Sequence, residues 1–241
     1  MYKQNRNINT ASIVMMLIGL VSCVFAFIYD THAAWANILF NNYFFLGISL
    51  FAVFFVALQY VSEAGWSIVL KRVPEAIMTF LPYACAVMIF IVITAVLHFG
   101  GNHIYHWLED GIMTKGTSNY DRIIAGKEAY LNATFFLVRS LIYVGVWIYC
   151  ARRLRQISLD GDAEGKIGEN SYWKGLRVSG WFIVFFAITS STASWDWIMS
   201  IDTHWFSTLF GWYVFSEWVV IGFATILLIT LYLKRLGYLS H

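Results

Sequence analysis

Six long apolar runs alternate with shorter polar segments along the chain, at about residues 11–29, 38–62, 75–98, 129–151, 173–199 and 205–233. Each is roughly 19 residues or longer, enough for a helix rising ~1.5 Å per residue to cross a hydrocarbon layer ~30 Å thick. The pattern predicts an all-α polytopic membrane protein with six transmembrane helices in a single transmembrane domain. Within the first run, Leu20-Val21-Ser22-Cys23 loosely fits a lipoprotein cleavage box. The apolar run continues through Ile28, where a cleavage site would end it, so the run reads as a span. Pro74 opens the third run as a first-turn residue, and Pro82 inside it predicts a kink that frees the Met78 carbonyl. Residues 100–126 form the longest polar stretch. A short interfacial helix over 104–110 would put His103 and His106 on one face.

Composition agrees with the pattern. The 241 residues are 59% hydrophobic and 12% charged, against about 25% charged in a soluble domain. No basic cluster with interleaved aromatics points to nucleic acid. Cys23, Cys85 and Cys150 fall in three different runs, without metal-ligand or redox spacing. Charge then sets the orientation. With the N-terminus inside, 12 Lys and Arg fall in inner segments and only Lys115, Arg122 and Lys127 in outer loops; Arg139 lies within a span. Both termini are therefore expected in the cytoplasm. His32, His98, His103, His106 and His204 fall at or beyond the outer surface, and only His241 is inside. No histidine pair at matched depth is available to hold a haem iron within the membrane. Two histidines at 103 and 106 do not make a zinc site, so no metal is expected.

The polar residues in or near the membrane are the candidates for function. Residues 194–215, SWDWIMSIDTHWFSTLFGWYVF, place Trp195, Trp197, Trp205 and Trp212 around Asp196, Asp202 and His204. This reads as an outer hairpin whose aromatics sit at the headgroup level. Asp202 or Thr203 can cap the sixth helix. Ala187/Ser191 and Ser190/Ser194 are small-residue pairs that let helices approach, or the start of a polar track from Asp196. Counted from the outer ends of their runs, Arg139 and Glu217 both sit ~15 Å deep. Each would cost ~3 kcal/mol unpaired, which predicts an Arg139–Glu217 pair, direct or through water, or a Glu217 that handles protons. Arg139, Glu217, Asp196 and Glu63 are the candidates for a proton path. His98, Asp196, Asp202 and His204 lie at the depth a quinol head group would need. No catalytic residue is assigned.

The hairpin, followed by LITLYLKRLGYL at 228–239, resembles the F subunit of bacterial alternative complex III, quinone-binding subunit 2 of a quinol:cytochrome c oxidoreductase. The wider relatives are membrane subunits of the polysulfide-reductase and nitrite-reductase type. Ala64-Gly65-Trp66-Ser67 with Leu70, Arg72 and Val73, and Tyr130-Leu131-Asn132, Phe135-Phe136-Leu137 and Arg139, extend the likeness over most of the chain from about Phe44. The resemblance implies a four-helix bundle from spans two to five with flanking helices. It also implies an N-terminal portion of a ten-span protein, or a chain lacking a second bundle. It implies a subunit of the bacterial inner membrane with no cofactor of its own. Quinone binding, scaffolding and a proton path all stay open as its role. Haem c and iron–sulfur centres would sit in partners: a multihaem cytochrome, an iron–sulfur protein and a sister quinol-binding membrane subunit. A terminal oxidase is a further candidate partner. Two rival classes fit the same residues, a transporter or channel bundle with a mid-membrane Arg/Glu pair and a purely structural anchor.

Overall fold

The computed structural model describes residues 6–163 and 169–238. Lys3, Lys166 and His241, which entered the sorting of charges and histidines, lie outside the described residues, as does Leu239. Among the described residues six helices are long and apolar enough to cross a membrane, at Asn9–Tyr29, Thr31–Val61, Arg72–Val96, Ala133–Asp162, Ser171–Ile201 and Phe210–Arg235. The chain is an all-α, multi-pass membrane protein.

Helix α1 (Arg6–Tyr29) runs directly into α2 (Thr31–Val61) through a one-residue break. Asp30 makes that break: its side chain accepts the Ala33 N–H at 3.0 Å, an N-cap that restarts the helix. Ile13, Met15, Leu17 and Val21 are all exposed, because α1 packs on the rest only near its end, where Phe27 meets Trp35 edge to face.

Helix α2 is the centre of the bundle. Leu46, Leu50, Ala52, Val53 and Ala57 are fully buried on it. The third span is broken into α3 (Arg72–Ile77), a 3₁₀ turn at Met78–Phe80, and α4 (Leu81–Val96). Pro82 falls in the first turn of α4, so the break comes where its missing N–H predicts one. The fourth and fifth spans are α6 (Ala133–Ala163) and α7 (Glu169–Trp197), after a short α5 (Arg122–Ala125) in the outer loop. α2, α4, α6 and α7 close a four-helix ring, and α8 (Phe210–Arg235) packs against α2 and α7.

Small residues set the α8 contacts. A Cβ at Gly222 would lie 2.0 Å from the Phe51 ring, and one at Gly47 2.2 Å from Trp218. A Cβ at Gly211 would lie 2.6 Å from Ser191 Oγ, so Ser191 serves close helix packing, as its small-residue spacing suggests. Val214, Trp218, Gly222 and Ile226, four residues apart, form the buried stripe of α8.

The outer loop is not a polar appendage. Asn102, Ile104, Tyr105, Trp107, Ile112 and Ile124 are buried, so the loop folds back over the outer end of the bundle as a plug. The helix expected at 104–110 is only a 3₁₀ turn at His106–Leu108. Tyr105 and Trp107 pack against Phe136 instead, and satisfying those rings overrides helical spacing.

Candidate functional site

The most elaborate polar centre lies where α6 and α7 meet beneath this plug. Asp196 is the penultimate residue of α7, and Arg139 lies six residues into α6. Side chains on a helix lean toward its N-terminus. The start of α6 adjoins the end of α7, so Arg139 leans toward that shared end of the bundle and Asp196 leans away from it. They meet in a two-point fork: Nε donates to Oδ2 at 2.8 Å and Nη2 to Oδ1 at 2.8 Å. Asp196 is 0% exposed and Arg139 7%.

The fork is enclosed on every side. Arg139 Nη1 donates to the Tyr130 carbonyl at 3.0 Å. The Tyr130 and Phe135 rings flank the guanidinium at 3.9 and 4.1 Å from their centroids, a cation–π sandwich. The Tyr143 hydroxyl donates to Asp196 Oδ2 at 3.1 Å. Around this, Trp197 Nε1 donates to Ser140 Oγ at 2.9 Å, Trp147 Nε1 to Thr189 Oγ1 at 3.0 Å, and the Tyr105 hydroxyl to the Trp197 carbonyl at 3.0 Å. The plug is thereby bonded to the centre.

The pairing differs from the one depth predicts. Arg139 binds Asp196, not Glu217. The apolar runs start before the helices do: α6 begins at Ala133 and α8 at Phe210. Arg139 is therefore ~9 Å and Glu217 ~10 Å below the outer helix ends, shallower than mid-membrane. Glu217 is exposed, on the side of α8 that also presents Tyr213 and Val220 away from the bundle. Among the described residues no direct Arg139–Glu217 contact forms.

The remaining candidates scatter. Asp202 Oδ1 accepts the His204 N–H at 3.1 Å, closing a turn; it does not cap α8, whose first turn has no side-chain cap. His204 Nε2 lies 2.7 Å from Asp121 Oδ2. The Ile124 N–H, then those of Ile123 and the His204 ring, hold the Asp121 carboxyl below the usual carboxylate range. His98, left-handed at φ 50°, stacks on His103 at 5.4 Å. His106 Nδ1 instead meets Glu109 at 3.0 Å. Among the described residues no hydrogen bond joins His98 or His204 to Asp196, and no cluster of three His, Cys, Asp or Glu side chains could hold a metal. Glu63 lies just past the C-terminal end of α2, at the opposite end of the bundle. Of the four tryptophans in the hairpin, Trp197 is core and Trp205 and Trp212 are exposed.

No family model matches the chain, and no curated protein does so.

Chemically, the Arg139–Asp196 centre is closed. Asp196 is fully buried, and both its carboxylate oxygens already accept hydrogen bonds, two from Arg139 and one from Tyr143. A guanidinium does not release its proton at physiological pH. The centre is a clamp that fixes α6 against α7. Sequence reading missed its other members, Tyr130, Ser140, Tyr143, Trp147 and Thr189. The signal was present: Arg139, Tyr143 and Trp147 recur every fourth residue on one face of α6.

Proposed function

We propose that the chain is a scaffold subunit of a respiratory quinol:cytochrome c oxidoreductase of the alternative complex III type, in the bacterial cytoplasmic membrane. The observation that supports membership of a larger assembly is Glu217. It is an exposed carboxylate on a membrane-spanning helix, ~10 Å below the helix end, where contact with lipid would be costly. A partner helix that covers this side of α8 removes that cost. The kind of assembly is suggested by the hairpin 194–215 and its resemblance to the F subunit. Redox centres then belong to the partners, a multihaem cytochrome and an iron–sulfur protein, and quinol oxidation to a sister membrane subunit. The closed Arg139–Asp196 clamp supports a supporting rather than catalytic part for this chain.

Purification of the native assembly through a tag on this chain tests the reading. Co-purifying multihaem and iron–sulfur subunits with quinol-dependent cytochrome c reduction are expected. A chain that purifies alone and moves a solute across liposomes would replace the reading with a transporter.

A further inference from the structure

A second site lies at the opposite, inner end of the bundle and takes no part in the clamp. The ends of α2 and α6, the start of α7 and the segment 64–74 enclose a cavity of about 440 Å³. Its floor is apolar, with Phe55, Val56 and Ile157 buried there. Lys71, Glu63 and Gln59 line the polar part. Positive-inside sorting puts it at the level of the cytoplasmic headgroups.

We propose that this cavity binds a phospholipid whose headgroup carries a primary ammonium, of the phosphatidylethanolamine kind. Three observations converge on that chemistry. Gln59 Oε1 is buried and has no hydrogen-bond partner, so it needs a donor. Lys71 reaches Glu75 only at 3.9 Å, and its ammonium otherwise lies 5.6 Å over the Tyr60 ring, so its N–H groups are available to a phosphate. Glu63 holds an exposed carboxylate at φ 53°, a left-handed conformation that favours glycine.

The charges select among lipids. Arg72 pairs with both Glu75 and Asp162, and Lys71 is the other base; with Glu63, the acids among these described residues exceed the bases by one. An anionic headgroup would meet that excess. A zwitterion places its phosphate on Lys71 and its ammonium between Glu63 and Gln59, and its acyl chains continue the apolar floor into the bilayer. A choline headgroup has no N–H to give Gln59. This inference stands independently of the respiratory reading, since it needs only the membrane spans and the cavity.

The test uses the full chain in mild detergent. Thermal unfolding and native mass spectrometry are followed while phosphatidylethanolamine, phosphatidylglycerol, phosphatidylcholine or a short-chain quinone is added. Saturable stabilisation by phosphatidylethanolamine, with affinity about tenfold above the other two lipids, is expected. Glu63→Gly relieves the left-handed strain, so it should fold at least as stably and lose the preference; Gln59→Leu should lose it too. Equal effects of the three lipids, a preference that survives both substitutions, or displacement of the lipid by the quinone would each overturn the proposal.

Discussion

Asp196→Asn tests the clamp most sharply, because it removes charge while keeping shape. Stranding one member of a buried ion pair costs ~3–5 kcal/mol. Part of that is recovered here. The Tyr130 carbonyl still accepts from Arg139 Nη1, and the Tyr130 and Phe135 rings still sandwich the guanidinium. Such rings are worth ~1–2 kcal/mol to a desolvated cation. The expected net loss is therefore ~2–3 kcal/mol. Arg139→Met leaves the carboxylate with the Tyr143 hydroxyl and no cation, and should cost more, ~3–5 kcal/mol. The double substitution R139M/D196L removes both charges and should cost less than the sum of the singles by ~2 kcal/mol or more. Equilibrium unfolding in mixed micelles, run as a double-mutant cycle, measures this. Singles that each cost under ~1 kcal/mol, or strictly additive effects, would refute the clamp.

Further outcomes follow from neighbouring contacts. Ser140→Ala removes the acceptor of the buried Trp197 Nε1 and should destabilise by ~1–3 kcal/mol in the same unfolding assay. Gly222→Leu drives a side chain into Phe51 and should loosen α8 from α2, read as a loss of ~1–3 kcal/mol. The lowered Asp121 carboxyl contributes stability that is present above its unfolded-state value, ~3.9, and is lost as pH falls through its lower folded-state value. Acid titration of the outer loop by hydrogen exchange should therefore show protection at 121–125 fading in that acidic window, and Asp121→Asn should abolish this pH dependence.

The six spans were legible because hydropathy acts at the scale of whole helices, and the break before Leu81 because Pro82 has a local mechanism. The span ends were less so: apolar runs extend into loops, as at 205–209, where Trp205, Phe206 and Leu209 precede α8. That offset misplaced Arg139 and Glu217 by several ångströms and paired them with each other. The true partner, Asp196, depends on side chains leaning toward opposite membrane faces on antiparallel helices. The plug was hidden for another reason. Ile104, Tyr105, Trp107, Ile112 and Ile124 are spaced irregularly, so no periodicity marks them as buried. The hairpin tryptophans divide by contact, with Trp197 held by Ser140, and no aromatic count distinguishes it from Trp212.

The central claim is that this bundle is one part of a larger redox assembly that covers the Glu217 side of α8. A photo-crosslinking amino acid at Val220, on that side, measures it directly in intact membranes. The account predicts a crosslink to a different membrane polypeptide that co-purifies with haem-bearing subunits, weakened by Glu217→Leu. Adducts with lipid alone, or with further copies of this chain alone, would contradict it.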